Sequence, residues 1–284
     1  MLKSLVAAAA LLAAGSPLAA QEADWTEVRA RRQAGSIESV TVDVEYIAGE
    51  LRIGPADGGL LYDTHLKYDA ARMRPERDWS VNGSTARLDL GFEGLGDDGD
   101  MDIDFEGDEH GFLELGLSQD VPTDLRIAVG AALSEVDLSG IPVTGLVYKT
   151  GASETEINFG SPNPVQMERL ELTVGVAEFS ASGLGNARFE ELTFNGGVGD
   201  VTLDFGGDWS ADASASIKMG LGSLTLVFPE DLGVRIYKSG FLSALDAPDY
   251  TKVDGGWQSP GWDSATHHLE IHLVSALGSI EVLQ

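Results

Sequence analysis

The sequence predicts an all-β protein, and three observations support that prediction. From Ile37 onward apolar and polar residues alternate, with Val40, Val42, Val44 and Tyr46 on one side of the pattern, which is typical of a half-buried strand. Glycine, with 35 copies in 284 residues, and proline separate the alternating segments. In this part of the chain no window of 12 or more residues keeps a helical period.

The alternation recurs in short segments along the first half of the chain, at residues 51–53, 60–68, 84–90 and 112–117. Residues 21–35 lack it and carry Arg29, Arg31 and Arg32. We therefore expect a solvated linker there, with at most one helical turn. Residues 36–125 are predicted to form an N-terminal β region.

An internal repeat occupies the second half. A glycine-rich turn, an acidic residue or serine, and an apolar-x-apolar strand recur at Gly151, Gly175, Gly197 and Gly220, in steps of 24, 22 and 23 residues. Looser copies lie at 131–138 and 276–282, and an early relative lies at 47–53. A second short strand precedes each glycine motif, at 146–149, 170–174, 189–194 and 215–219.

A repeat of this length with two short strands predicts one coil of a solenoid. One coil cannot bury its apolar face alone, so the coils stack, and glycine allows the sharp corners. We predict a right-handed β-helix or β-roll over residues 126–284, with the N-terminal β region packed on it. A β-sandwich is the alternative, because it also uses short alternating strands and glycine turns.

The charge of the chain excludes several partners. Asp and Glu number 46 against 18 Lys and Arg, a formal net charge of −28, and there is no cysteine. Such a charge repels nucleic-acid backbones and acidic membrane surfaces. Without cysteine there are no disulfides, thiolate metal sites or cysteine nucleophiles.

Residues 1–20 have the features of a secretory signal peptide. Lys3 precedes an apolar run from Leu5 to Ala14, and the small residues Ala19 and Ala20 follow, so we expect cleavage near Ala20. The run is shorter than the roughly 20 apolar residues of a membrane span. The expected location is periplasmic or secreted.

Two parts of the chain resemble a known family. Residues 44–53, with Leu60 and Leu61, resemble the amino-terminal part of the bacterial toast-rack family of unknown function. From residues 137–141 through the glycine repeats to Trp257, Trp262 and residues 278–282, the chain is similar to that family's carboxy-terminal β-roll. That roll is in turn similar to proposed auto-transporter adhesin heads and to cell-wall-active antibiotic response proteins. The resemblance implies a β-roll outside the cytoplasm and no catalytic residues.

The first candidate metal site is an acidic segment at 93–109, where the weak candidate calcium ligands are Asp98, Asp100, Asp102 and Asp104. An EF-hand loop that starts at Asp102 has Leu113 at position 12, where a bidentate Glu is needed. Because clustered carboxylates repel one another, we expect a solvated hairpin tip. Weak calcium binding is the alternative.

The second candidate is the strand His268-Leu269-Glu270-Ile271-His272. Alternation places His268, Glu270 and His272 on one face, about 7 Å apart. That spacing is long for two imidazoles on one zinc ion, so we expect a polar outer face.

No catalytic motif is present. The sequence lacks Gly-x-Ser-x-Gly, a P-loop and His-Glu-x-x-His. Trp257 and Trp262 could stack on sugars, but we expect them to cap the open end of the roll.

The sequence therefore predicts an exported, monomeric, non-enzymatic module that binds or scaffolds an envelope protein or glycan, without a cofactor. The alternative is a carbohydrate-active β-helix enzyme that uses surface carboxylates. A cleft lined by two carboxylates beside aromatic residues would favour the enzyme.

Overall fold

The computed structural model describes residues 23–94, 110–240 and 242–284. The predicted signal peptide, residues 1–20, and the candidate calcium ligands Asp98, Asp100, Asp102 and Asp104 lie outside these residues. The strands are β1 (Trp25–Gln33), β2 (Ser39–Pro55), β3 (Leu60–Asp69), β4 (Met73–Asn82), β5 (Thr85–Gly94), β6 (Phe112–Leu117), β7 (Thr123–Asp137), β8 (Val143–Asn158), β9 (Met167–Ser182), β10 (Phe189–Asp204), β11 (Ala213–Val227), β12 (Gly233–Gly240), β13 (Ser243–Asp246), β14 (Thr251–Val253), β15 (Gly256–Gln258) and β16 (His268–Leu283).

These strands form one continuous sheet in which β2, β7, β8, β9, β10, β11 and β16 are neighbours in that order and all parallel. From β7 to β11, each strand is one repeat further along the chain than its neighbour. A sandwich of antiparallel strands does not give this pairing. The predicted all-β roll is confirmed.

Each coil contributes one long strand that bends at the glycine motif. The two short strands expected for each repeat are the halves of this strand, and the parallel ladder continues on both sides of the bend. At the bend Gly199, Gly222 and Gly278 have φ of +143°, +131° and +139°, which L-residues rarely adopt. These three glycines stack in register along the roll.

Stacked inward side chains form the core. One row consists of Leu125, Leu146, Leu170, Leu192, Ala215 and Ile271, each at most 1% exposed. The rings of Phe179 and Phe194, which belong to different rows, lie 5.7 Å apart across the interior. Each coil therefore buries its apolar side on its neighbours, which is what stabilises a solenoid.

Buried asparagines hold the segments that return the chain from one coil to the next. Asn163 is 1% exposed, and its Nδ2 donates to the carbonyls of Val143 (2.8 Å) and Ala187 (3.2 Å). Its Oδ1 accepts from the N–H groups of Val143 and Val165, both at 3.2 Å. One coil later, a 3₁₀ helix at Leu184–Ala187 contains Asn186. These amides replace backbone pairing where the strands end.

The N-terminal end of the sheet divides in two. On its free side β2 pairs with β5 through residues 39–44 and with β6 through residues 50–55. The β4–β5 hairpin continues one branch, and β3 and then β1 continue the other.

The predicted linker at 21–35 is wrong, because residues 25–33 form β1, antiparallel to β3. The strand lies at the sheet edge, so most of its side chains are exposed and no alternation was available to reveal it. The predicted boundary between 125 and 126 falls inside β7, and the sheet runs through it without a break.

The other end is closed by a strand order that differs from chain order. β16, the last strand, pairs with β11 on one side and with β12 and β13 on the other. The outermost coil is therefore β12–β13, and the β14–β15 hairpin lies on it. Of the two tryptophans predicted to cap this end, Trp257 of β15 packs against the core there, whereas the ring of Trp262 contacts Arg235 and His268.

Candidate functional site

The bend divides the outer surface of the roll into two faces. The upstream face comprises the strand halves before the glycine motif, and the downstream face comprises the halves after it. The apex of the bend separates them. The three surfaces have different chemistry.

Several charges on the upstream face form ion pairs. Arg87 contacts Asp43 and Asp89, both at 2.7 Å, and Arg126 contacts Asp124 at 3.3 Å. Further along, Arg169 of β9 reaches across β8 to Asp124 at 3.7 Å. Gly145 lies between them, and a Cβ there would stand 3.4 Å from the Asp124 carboxylate.

Burial raises the pKa of Asp43, and Arg87 and Arg126 partly offset that effect. Desolvation of the ionised Asp43 carboxylate therefore opposes folding.

Carboxylates on the downstream face are mostly unpaired. Its outward residues on β2, β7–β11 and β16 include one basic residue, Arg52, which contacts Glu50, Glu114 and Glu135. Glu154, Glu156 and Glu178 have no cationic partner in the described part of the chain. In the ladder Glu154, Glu178 and Asp200 form one row across β8, β9 and β10, which we call the acidic row.

An apolar ridge runs along the apex of the bend. Its residues are Val176, Val198, Leu221 and Leu277, in register on β9, β10, β11 and β16. Each is exposed, by between 45% and 62% of its surface. In the preceding coils the same position holds Ala48, Ala131 and Ala152. The ridge therefore belongs to the later coils.

Small residues form a furrow on each side of the ridge. The columns are Gly175, Gly197, Gly220 and Ala276 on one side, and Ala177, Gly199, Gly222 and Gly278 on the other. A Cβ at Gly197 or Gly220 would overlap the carbonyl oxygen of the preceding coil. Glycine is therefore required for the coils to stack closely, and it also leaves the ridge side chains standing free.

The sequence-predicted zinc candidates share the outer face of β16, as expected from alternation, but both histidines have other contacts. His268 Nε2 lies 3.0 Å from the carbonyl oxygen of Trp262, and its Nδ1 lies 3.6 Å from Asp212. The ring of His272 stacks on Tyr237 at 5.2 Å, and Glu270 is exposed. Within residues 23–94, 110–240 and 242–284, no three His, Asp or Glu residues are grouped to hold a metal ion.

A second histidine cluster, which sequence reasoning missed, ties β1 to the sheet. His65 lies between Glu27 and Glu114, with both nitrogens 3.1 Å from a carboxylate oxygen. The hydrogen bond from His65 lowers the pKa of Glu27. Glu27 belongs to β1, and because that strand was not predicted from the sequence, the cluster could not be predicted either.

An aromatic and acidic concavity lies between the return segments near the C-terminal end. It has a volume of about 360 Å³ and is lined by Trp209, Asp208, Glu230, Asp231 and His267, among others. The indole N–H of Trp209 donates to the carbonyl of Phe205 at 2.9 Å. All three carboxylates are exposed.

Trp262 lies outside this cavity. The Arg235 guanidinium sits 3.9 Å from its ring centroid, and the ring of His268 makes an edge contact at 4.5 Å. One part of its indole is therefore already occupied within the chain.

Fold and surface together define a stacked β-roll with one outer face of mixed charge and one acidic face. The chain belongs to the toast-rack family. The model of the N-terminal domain of toast_rack, DUF2154, matches residues 20–181 and again 163–227. The matches extend into the glycine repeats, so this family model includes part of the roll as well as the N-terminal region.

Solved structures give a fold comparison. A proposed cell adhesion protein from Clostridium sporogenes ATCC 15579 is 15% identical, with a TM-score of 0.51 over 92% of this chain and 99% of that chain. A proposed adhesin from Bacteroides fragilis NCTC 9343 is 11% identical over 91% and 97% of the two chains, with a TM-score of 0.32. The first shows a shared fold, and the second is too dissimilar to support a structural comparison. No curated protein matches the chain in sequence.

Among the described residues, no helix is long and apolar enough to cross a membrane.

Proposed function

We propose that this protein is an exported, non-enzymatic binding module of the cell envelope that meets its partner through the outer surface of the roll. The observation that carries the proposal is the apolar ridge. Four large apolar side chains stand exposed in one line, whereas scattered apolar residues are the norm for a soluble protein surface. A continuous exposed apolar feature with a polar rim is typical of an interaction site.

The ridge is not needed for packing. Inward residues of the same strands, such as Leu192 and Ile217, already fill the core and are fully buried. Serine or threonine at the ridge positions would preserve the strand and would expose less apolar surface to water. A partner that covers the ridge would explain why Val and Leu occupy four adjacent exposed positions.

Residues 1–20 and the fold family support export and an envelope location. The apolar run with small residues before the expected cleavage point is typical of secretion signals. The neighbour from Clostridium sporogenes is described as a proposed cell adhesion protein, and a similar role for this chain is part of the proposal.

The test of the proposal is site-specific photo-cross-linking in the organism that makes the protein. A photoreactive residue at Val198 is expected to give one discrete adduct in envelope fractions. The matched control is Val81 of β4, which is 51% exposed but far from the ridge in the sheet order. No adduct at Val198, or the same adducts at both positions, would overturn the proposal.

A second candidate function is carbohydrate cleavage at the Trp209 cavity. Three carboxylates line this cavity beside an indole, which is the arrangement that would favour an enzyme. Their exposure opposes it, because a general acid needs a desolvated carboxyl group with a raised pKa. Turnover of a panel of bacterial polysaccharides, lost in the Glu230→Gln and Asp208→Asn variants, would establish the enzyme.

A further inference from the structure

We infer that the ridge accepts an amphipathic α-helix of the partner, lying along the roll axis with Lys or Arg residues on one flank. This inference rests on the proposed function and specifies the chemistry of the partner. Spacing, charge and shape support it separately.

The spacing of the ridge matches a helix better than a strand. Neighbouring strands lie about 4.8 Å apart, so four ridge residues span about 14 Å. Three turns of α-helix advance about 16 Å, whereas three same-face intervals of an extended peptide along the same direction advance about 20 Å. Side chains of moderate length absorb a mismatch of about 2 Å, but a mismatch of about 6 Å places apolar groups between the ridge residues.

Charge decides which side of the helix is basic. Glu154, Glu178 and Asp200 of the acidic row lie two residues beyond the ridge position of their strands, which is about 7 Å across the surface. On the other side the outward residues nearest the ridge include Lys149 and Lys218. A helix that carries cations only on the flank above the acidic row places them beside the carboxylates and keeps them away from the two lysines.

Shape favours a partner other than a second copy of this chain. The furrows beside the ridge lack side chains beyond Cβ, so the side chains of a helix can settle on both sides of each ridge residue. A second copy would bring another projecting ridge and another net charge of −28. Two such surfaces repel each other and touch along a narrow line.

The probe is a synthetic helix of about 18 residues with one Leu stripe and one Lys flank. Its control has the same composition in an order that destroys the stripe. Binding to the full-length mature protein is measured by fluorescence anisotropy at physiological salt, since low salt would exaggerate attraction to any acidic protein.

Three variants assign the site. The ridge variant V176S/V198S/L221S/L277S is expected to weaken binding of the striped peptide at least about tenfold, because it removes the apolar contact. The acidic-row variant E154Q/E178Q/D200N is expected to weaken it by about threefold to tenfold. The control variant V81S/V28S, which removes exposed apolar groups elsewhere, is expected to change it less than twofold. Circular dichroism checks that each variant is folded.

Equal binding of the striped and scrambled peptides, or unchanged binding to the ridge variant, overturns the inference. If a partner cross-links at Val198 while the striped peptide shows no preference, the helix inference fails and the proposed function stands. Failure of the cross-linking itself removes the proposed function. A Val198 adduct that consists of two copies of this chain assigns the ridge to self-association and also overturns the inference.

Discussion

Gly222 lies beside Gly199 in the ladder between β10 and β11, and its missing Cβ leaves the space that the Gly199 carbonyl oxygen occupies. Both residues have left-handed backbone conformations. The bend of each coil is thus shaped by its neighbour as well as by its own sequence.

Gly222→Ala is expected to destabilise the protein by about 2–4 kcal/mol, because it combines backbone strain with an overlap that the sheet cannot relieve. Urea unfolding measures the change. Gly54→Ala is the control: Gly54 lies in β2, and a Cβ there would meet nothing within 4 Å. If the two substitutions have equal effects, close stacking does not require glycine at the bend.

Asn163→Ala is expected to cost about 2–4 kcal/mol, because it leaves several buried backbone groups without a partner. Asn195→Ala, on the outer face of β10, is expected to change the free energy of unfolding by less than about 0.5 kcal/mol. A small effect at Asn163 would mean that water or a rearranged loop satisfies the same groups.

Asp43→Asn is expected to leave the protein at least as stable as wild type at pH 7. Burial raises the pKa of Asp43 in the folded state, so the folded protein binds this proton more readily than the unfolded chain does. Wild type therefore loses stability as the pH rises from the unfolded pKa through the folded pKa, and the variant does not. The advantage of the variant should shrink toward pH 4 in a series of unfolding curves. A loss of more than about 1 kcal/mol at pH 7 would show that the ion pairs with Arg87 and Arg126 dominate.

Val198→Ser is expected to change the free energy of unfolding by less than about 1 kcal/mol, because the side chain is already exposed. Leu192→Ala in the same strand should cost about 2–5 kcal/mol, because it opens a cavity in the stacked core. Thermal and urea unfolding compare the two. A large loss at Val198 would give the ridge a structural role and weaken its assignment to a partner.

Excess zinc is expected to shift the melting temperature of wild type and of the H268A/H272A variant equally. To bind the metal, His268 would have to leave the Trp262 carbonyl, and His272 would have to leave the Tyr237 ring. A zinc-dependent rise in wild type that the variant lacks would restore the zinc site. The same measurement with millimolar Ca²⁺ tests the carboxylates Asp98, Asp100, Asp102 and Asp104.

Much of the roll was visible in the sequence because glycine spacing and alternation are local features. The steps from Gly151 to Gly220 gave the coil length, and alternation placed His268 and His272 outward. β1 was missed because its conformation comes from pairing with β3. Residues such as Arg29 and Arg31 carry no inward pattern.

The features of the candidate site were harder to predict because they depend on register between coils. Alternation alone could have placed Val176 and Val198 outward, but it could not show that they line up with Leu221 and Leu277. Asn163 and Asn186 did carry a signal, since they are 23 residues apart, one coil length. Asparagine is so common in loops that the spacing was informative only beside the structure.

Since each coil of the roll contacts its immediate neighbours, the length of the apex surface is set by the number of coils. Duplicating one repeat between β9 and β11 would insert a further rung and extend the line of exposed side chains by about 4.8 Å. Deleting one would shorten it by the same step, without redesign of the interior. The length of the ridge, and with it the number of helical turns of a partner that can contact it, could therefore change by whole coils during evolution or by engineering.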